Sequence, residues 1–363
     1  MIKFLGSKRT LVHVIGAVAS ALPVRTAVDL FAGTTRVGQE LRRRGLEVVS
    51  NDVTAFSEAF GHAYIAADGD VDRARLRRVL AELAALAPLD GYVTETFCRR
   101  SRYFQPENGM RIDAARAGID RLDLGPVERG LVLTSLVEAA DRVDSTCGVQ
   151  MAYLKRWAPR ARHALDLREP EAVAGPPGTV TCSDANVLAP ALGGVDLAYI
   201  DPPYNQHSYL GNYHVWETLV RGDQPPHYGV ACKRADCRTR KSAYNSRRDA
   251  WPALAGLIGS LTAPWIVTSV SDEGFHDPGD VAALLGERGH VGALRVDFKR
   301  YVGAQIGIHN PAGEVVGAVS HLRNTEWVFV CGPDPAAVER ALAAAPPPAV
   351  RATPGNQRRP LAV

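Results

Sequence analysis

The chain lacks any run that approaches eighteen apolar residues, so it offers no candidate membrane-spanning helix. It opens Met1-Ile2-Lys3-Phe4 without the apolar stretch of a secretory leader, which points to the cytoplasm. Cysteine is sparse, six residues at 98, 147, 182, 232, 237 and 331. Scattered in this way they suit reduced thiols and not a disulfide framework. Cys232 and Cys237 are the only close pair, with His227 nearby, and no second pair completes a zinc site, so no metal is expected. Charge of one sign is also scarce. The net value of +3 leaves any nucleic-acid footprint to be local. There is no internal repeat, and 363 residues suit one large domain or two modest ones.

Two familiar phosphate-binding signatures are missing as well. The glycine loop Phe31-Ala32-Gly33-Thr34-Thr35-Arg36-Val37-Gly38 is followed by Gln39-Glu40, so it does not close on the Lys-Ser/Thr of a P-loop. It also lacks the first glycine of Gly-x-Gly-x-x-Gly. The loop lets a ligand approach the backbone without supplying an obvious phosphate site.

What is present is an alternation of strand and helix signals. Thr26 to Phe31 reads as a short buried strand, Arg36 to Arg44 as a helix closed by Gly45, and Glu47 to Ser50 as the next strand. This βαβ unit implies a parallel sheet. From about 68 to 165 the periodicity is helical, with many arginines, as in Val71 to Leu86 and Gly130 to Arg142. Strands return at Thr179–Cys182, Leu197–Ile200, Trp265–Val270, Leu294–Phe298 and Glu326–Val330. Between the last two, Tyr301 to Arg323 suggests a projecting hairpin around Asn310-Pro311-Ala312-Gly313. The tail from Ala343, with Pro346-Pro347-Pro348 and late arginines, reads as disordered.

The most informative residues are Asp201-Pro202-Pro203-Tyr204, which follow the apolar run Val195 to Ile200. Asp201 then stands at the carboxyl end of a strand, where open α/β sheets place ligands. Two prolines fix two φ angles and remove two donors, leaving a stiff loop with outward carbonyls. A carboxylate and a carbonyl can together accept both hydrogens of one exocyclic amine. The tyrosine offers a flat face to the ring that carries it. An aromatic amine such as adenine N6 is a poor nucleophile, because its lone pair is delocalised. Two acceptors pulling on its hydrogens favour the tetrahedral, nucleophilic form. The blander reading is a Pro-Pro turn with Tyr204 packed on the core.

Acidic residues close the other strands: Asp29, Asp52 and Asp184. A carboxylate after the second strand can accept both ribose hydroxyls of a nucleoside, and one after the next can take an adenine amino group. S-adenosylmethionine, a cationic nucleoside without phosphate, fits this set. Each Asp taken alone is equally a loop or helix-cap carboxylate.

Together these residues resemble the Dam-type DNA adenine-N6 methyltransferases, in the order that puts the cofactor motif before the Asp-Pro-Pro-Tyr motif. Lys3-Phe4-Leu5-Gly6-Ser7-Lys8 is similar to the family's N-terminal motif, which implies that Phe4 and Lys8 help bind S-adenosylmethionine. Asp29-Leu30-Phe31-Ala32-Gly33 resembles the family's Asp-x-Phe-x-Gly loop, with Thr34 and Thr35 where further glycines are usual. By the same resemblance Asp52 binds the ribose and Asp184 the cofactor's adenine, with Ala185 where an aromatic often stands. Asp201, Pro202 and Tyr204 would be catalytic, and Asp201 also counts among the cofactor-binding set with Phe4, Lys8, Asp29, Phe31, Gly33, Asp52 and Asp184. The implied fold is α/β, a doubly wound, mostly parallel Rossmann-like methyltransferase sheet with an inserted, mainly helical target-recognition region. The catalytic domain is discontinuous, 1–67 and 166–342, with the insertion at 68–165 and the tail at 343–363.

Residues 221–250 hold eight Lys or Arg against three Asp, a composition suited to phosphate contacts beside the motif. A second cluster, Phe97 to Phe104, interleaves aromatics with Arg99, Arg100 and Arg102, and a third is Lys155-Arg156-Trp157 to Arg162. Core aromatics flanked by surface arginines would look the same. The expected DNA contacts are Arg99, Arg100 and Arg102 for sequence choice, and Arg238, Arg240, Lys241, Lys299 and Arg300 for phosphates. His207 and His214 are not required as bases, since the proton can leave to solvent. The expected reaction is methyl transfer from S-adenosylmethionine to adenine N6 of a flipped base in double-stranded DNA, with a restriction or defence protein as a candidate partner. The rivals are cytosine N4 methylation and a non-catalytic DNA-binding module of the same fold.

Overall fold

A computed structural model describes residues 2–6, 8–299, 308–309, 315–317 and 323–354. In chain order, α1 (Val12–Ser20) leads to β1 (Thr26–Asp29), α2 (Arg36–Arg43), β2 (Glu47–Asp52) and α3 (Ala55–Gly61). Longer helices follow, α4 (Arg73–Ala85), α5 (Pro106–Asp120) and α6 (Pro126–Arg142). Then come β3 (Thr179–Cys182), α7 (Ala185–Leu188), β4 (Leu197–Ile200), α8 (Tyr209–Asn212) and α9 (His214–Arg221). A short hairpin, β5 (His227–Tyr228) and β6 (Lys233–Arg234), precedes α10 (Ala250–Ser260), β7 (Trp265–Ser271), α11 (Pro278–Gly286) and β8 (His290–Lys299). The chain continues through β9 (Ile308–His309), β10 (Val315–Gly317), β11 (Arg323–Gly332), a helix at Pro335–Ala344 and β12 (Val350–Arg351).

Two compact units divide these elements. The first comprises Met1–Lys8, Thr26–Leu188 and His207–Ser242. Its strands β1–β3 are parallel, β1 beside β2 (Val28 opposite Val49) and β2 beside β3 (Val49 opposite Thr179), while the hairpin β5–β6 is antiparallel. Gly45, at φ +90°, ends the connecting helix α2 in the left-handed conformation that glycine adopts without strain. Helices α5 and α6 each begin on a proline in the first turn, where the missing N–H costs nothing. Asp72 caps α4 by accepting from the Arg75 amide. One apolar core joins α3, the helical stretch and α9 through Phe56, Phe60, Phe97, Phe104, Leu136 and Trp216. The aromatics of the Phe97–Phe104 cluster are therefore core, while its arginines lie toward the surface.

The second unit comprises Arg9–Arg25, Ala189–Gln206 and Ala243–Val363. Here β4 runs parallel to β7, with Ile200 opposite Thr268. Antiparallel strands follow, β7 to β11 to β8, with Trp327 opposite Val270 on one side and Arg295 on the other. Every residue of β7 is buried, which its apolar run anticipates. The class is α/β with a mostly parallel, Rossmann-like sheet, as the strand–helix alternation led one to expect.

The tail departs from expectation. The last helix reaches Ala344, and Val350–Arg351 pairs antiparallel with Arg295 and Leu294 of β8. Main-chain groups along the edge of β8 provide the partner that a composition-based reading omits. Residues 355–363 lie outside the described residues, as do Arg300 and the turn at 310–313; of Lys299 only the strand backbone is described. The expected hairpin is represented by the antiparallel pair β9–β10.

Candidate active site

In the second unit, the motif follows β4 directly, so Asp201 stands at the strand's carboxyl end. Neighbouring β7 holds it in place. The Thr268 hydroxyl donates to the Ile200 carbonyl at 2.7 Å, and the Ser269 hydroxyl donates to Asp201 Oδ1 at 3.2 Å. Ser269 is itself 2.9 Å from the Tyr199 hydroxyl, so Tyr199, Ser269 and Asp201 form one polar chain. Downstream, the Phe275 amide donates to the Tyr204 carbonyl at 2.9 Å and Asn245 Nδ2 donates to the Asn205 carbonyl at 2.8 Å. Gly274 backs the tyrosine: a Cβ there would lie 3.2 Å from Tyr204 Cβ. Pro202 is buried, while Asp201 and Tyr204 remain partly exposed. Among the described residues no hydrogen bond reaches the Pro202 carbonyl. The loop is thus fixed at both ends, with a carboxylate and a carbonyl kept as acceptors.

The first unit holds the other expected cofactor residues. Phe4 stacks on Tyr213 at 4.4 Å and on Tyr209 at 5.3 Å between ring centres. The Tyr213 hydroxyl accepts from the Leu5 amide, and Lys3 reaches the Asp141 carboxylate at 2.9 Å. Burial pushes the Asp141 carboxyl up to about 6, against the lowering pull of Lys3. Gly33 adopts φ +51°, and a Cβ there would stand 3.2 Å from the Phe4 ring. Glycine is needed at this point both for its backbone angle and for the aromatic that abuts it. The Gly33 amide donates to Asp52 Oδ2 at 2.9 Å. Thr54 donates to Asp52 Oδ1 from its amide at 3.0 Å and from its hydroxyl at 2.8 Å. Burial raises the Asp52 carboxyl above the usual carboxylate range, with the Gly33 and Thr54 donors pulling the other way.

Asp29 is buried at the end of β1, Phe31 is half-buried after it, and Lys8 is buried at the head of a 3-10 turn, Lys8–Thr10. Asp184 is exposed; its Oδ1 caps α7 by accepting from the Asn186 amide at 2.8 Å. That is the helix-cap role left open above, and the remaining carboxylate oxygen projects from an exposed position. The set suits a nucleoside: a largely buried carboxylate to accept vicinal hydroxyls, an aromatic against a bare glycine, and a second, exposed carboxylate beyond β3.

The basic residues are less uniform than their composition suggests. In the first unit, Arg99 makes a bidentate pair with Asp90, and Arg100 pairs with Glu95 at 2.9 Å. Arg102 lies over the Trp157 ring at 4.7 Å and donates to the Lys155 carbonyl. Arg238 is exposed and lies over Tyr228 at 4.0 Å, and Lys241 is exposed. Arg234, by contrast, is buried and bonded to both Asp223 and Asp236, and Arg240 is bonded to Glu217. Two of the eight cations of this segment, Arg234 and Arg240, are therefore internal structure. His214 is also internal. It packs against Phe97 and Tyr103, its Nε2 is 2.9 Å from the Gln150 carbonyl, and burial pushes its pKa down to about 3. Cys232 and Cys237 contact backbone carbonyls, and the described residues contain no cluster of three metal-ligating side chains.

Three residues outside the motifs contribute to the geometry. Asn51, buried at the end of β2, donates to the Leu30 and Ser183 carbonyls and accepts from the Thr181 hydroxyl and the Ser183 amide. It therefore ties the ends of all three parallel strands together, next to Asp52. Ser269 aims Asp201, and Glu217 supports the loop after β2. Their only sequence signal is a polar residue in an otherwise apolar strand or helix, which says nothing about its partner.

With this geometry in view, comparison with known proteins is direct. The family model described as D12 class N6 adenine-specific DNA methyltransferase matches residues 4–252. The chain is 28% identical over 312 residues to the Type II methyltransferase M.NlaIII of Neisseria lactamica, covering 82% of this chain and 92% of that protein. It is 29% identical over 282 residues to the Type II methyltransferase M.CviAII of Paramecium bursaria Chlorella virus 1, covering 75% and 83%. It is 30% identical over 312 residues to the Type II methyltransferase M.FokI of Planomicrobium okeanokoites, covering 79% of this chain and 47% of that protein.

Proposed function

Since the chain belongs to the D12 class N6 adenine-specific DNA methyltransferase family, we propose that it transfers a methyl group from S-adenosylmethionine to adenine N6 in double-stranded DNA. The Asp201–Tyr204 motif activates the amine and the N-terminal motifs hold the methyl donor. The carrying observation is the rigid Asp201–Asn205 loop, anchored through Ser269, Phe275 and Asn245. Asp201 and the Pro202 carbonyl accept the two hydrogens of adenine N6, and Tyr204 stacks on the base swung out of double-stranded DNA. Paired acceptors draw the nitrogen toward tetrahedral geometry, and preorganisation spares the reorganisation that water would require. S-adenosylmethionine, which the family implies, supplies the electrophilic methyl group when bound. Asp52 accepts the ribose hydroxyls, Asp184 the adenine amine, and Phe4 and Gly33 border the nucleoside, with Lys8, Asp29 and Phe31 completing that wall. The proton leaves to solvent, which the buried, neutral His214 leaves unassisted.

On the DNA side, exposed Arg238 and Lys241, with Lys299 and Arg300, contact phosphates, and the 68–165 region with Arg99, Arg100 and Arg102 selects the target sequence. The surface pairs that hold Arg99 and Arg100 are of the weak, exchangeable kind. The Type II names of the relatives support a cognate restriction or defence protein as partner. No helix among the described residues is long and apolar enough to cross a membrane.

Two variants test the division. Asp201→Ala should abolish methyl transfer while leaving much of the DNA affinity intact. Asp52→Ala should weaken the cofactor by the loss of charge-assisted hydrogen bonds, up to about 3 kcal/mol. Calorimetry that found unchanged cofactor affinity in Asp52→Ala would move the ribose site elsewhere.

A further inference from the structure

The basic segment and the loop after β2 meet at a buried carboxylate within the first unit. Glu217, on α9, is fully buried. Its Oε2 accepts the Ala55 amide at 2.8 Å and the Phe56 amide at 3.4 Å. Its Oε1 accepts from Arg240 at 3.0 Å. The other terminal nitrogen of Arg240 donates to the Val53 carbonyl at 3.1 Å. Residues 53–56 are therefore gripped from both sides by one ion pair, the guanidinium on the carbonyl and the carboxylate on the amides. Between the gripped groups lies Thr54, whose amide and hydroxyl both donate to Asp52 Oδ1. Arg240 is anchored in turn. Its amide donates to the Asp236 carbonyl at 2.8 Å, and Asp236 is bonded to the buried Arg234. The same short turn carries the exposed cations Arg238 and Lys241.

We infer that Arg240 and Glu217 are a positioning pair. They set the 53–56 loop and, through Thr54, the orientation of Asp52, so that cofactor affinity depends on the segment that carries the DNA-facing cations. This rests on the reading of Asp52 as the ribose carboxylate. It also removes Arg240 from the phosphate contacts: its guanidinium is committed to Glu217 and to Val53. Because coupling between sites is reciprocal, DNA that orders the 236–241 turn tightens S-adenosylmethionine, and the cofactor tightens DNA by the same factor.

The test uses the full chain with Arg240→Gln, Arg240→Lys, Glu217→Gln and Asp52→Asn, each checked for its melting temperature. Cofactor affinity is read by calorimetry, DNA affinity across a salt series, and turnover as separate kcat and KM. Arg240→Gln should raise Kd and KM for S-adenosylmethionine about tenfold, about 1.4 kcal/mol. Its kcat should stay within roughly twofold and its DNA salt slope should not change. Arg240→Lys should recover part of the loss, since it restores the charge beside Glu217 but not both hydrogen bonds. Should Arg240→Gln fail to fold, Arg240→Lys and Glu217→Gln carry the same cofactor-selective expectation. The inference is overturned if Arg240→Gln keeps its cofactor affinity while DNA binding weakens and the salt slope falls by about one, the mark of a lost phosphate contact. Asp52→Asn separates the two failures. If it weakens the cofactor and Arg240→Gln does not, the positioning pair is wrong; if neither does, the ribose assignment is wrong.

Discussion

Replacing Ser269 with alanine deletes one hydroxyl from the wall behind the catalytic carboxylate. In the native chain that hydroxyl donates to Asp201 Oδ1 at 3.2 Å and lies 2.9 Å from the Tyr199 hydroxyl. A hydrogen bond to a charged group contributes about 1.5–3 kcal/mol, and a separation at the long end of the range puts this one near about 1.5. If the contact fixes the carboxylate in the direction that receives the amine hydrogen, the loss appears in the barrier, as roughly a tenfold fall in kcat. Cofactor affinity should change little, because the Ser269 hydroxyl is bonded to Asp201 and Tyr199 and to none of Phe4, Gly33, Asp52 and Asp184. Tyr199→Phe is the graded control. It removes the neutral partner one step back, about 1 kcal/mol, and should cost roughly fivefold. The assay is transfer of a labelled methyl group to DNA from a host without N6-methyladenine, with kcat and both KM values determined. An unchanged kcat in Ser269→Ala, or a loss that appears wholly in the cofactor KM, would refute the role given to Ser269.

Asn51→Ala should destabilise the first unit by about 2–4 kcal/mol, since it strips four hydrogen bonds from buried strand ends; denaturant titration reads it, and a change below about 0.5 kcal/mol contradicts the crosslink. Gly33→Ala meets a positive φ and the Phe4 ring at 3.2 Å, so it should raise the cofactor Kd several-fold, whereas unchanged binding would detach Phe4 from the site. His214 is held neutral, with its pKa pushed down to about 3. Its contribution is therefore complete above about pH 6.5 and is lost as pH falls toward 3, up to about 4–5 kcal/mol in all. His214→Gln should flatten that acid limb relative to the parent chain in melting curves between pH 4 and 7.

The strand ends of the fold were legible because each carries its signal locally. Strands form at Thr179–Cys182 and Leu197–Ile200 as expected, and Gly45 closes its helix where the pattern breaks. Asp52, Asp184 and Asp201 could be named because they stand at or just past the carboxyl ends of such strands. Longer elements were placed but cut short: β8 extends over His290–Lys299 where only Leu294–Phe298 was apolar, since pairing with β11 carries the ladder past its hydrophobic centre. Residues that act through distant partners were not legible. Glu217 lies 162 positions from Ala55 and Asn51 lies 132 from Ser183, so neither spacing nor composition reveals the contact. The basic run at 221–250 misled in the same way. It counts Arg234 and Arg240 as surface charge, although folding turns both against carboxylates.

The chemistry of the transferred methyl group is decided most directly by the modified base itself. DNA from a methylation-free host expressing this chain is digested to nucleosides, and the products are separated and weighed. N6-methyladenine should appear with the parent chain and vanish with Asp201→Ala. N4-methylcytosine without N6-methyladenine would contradict the account.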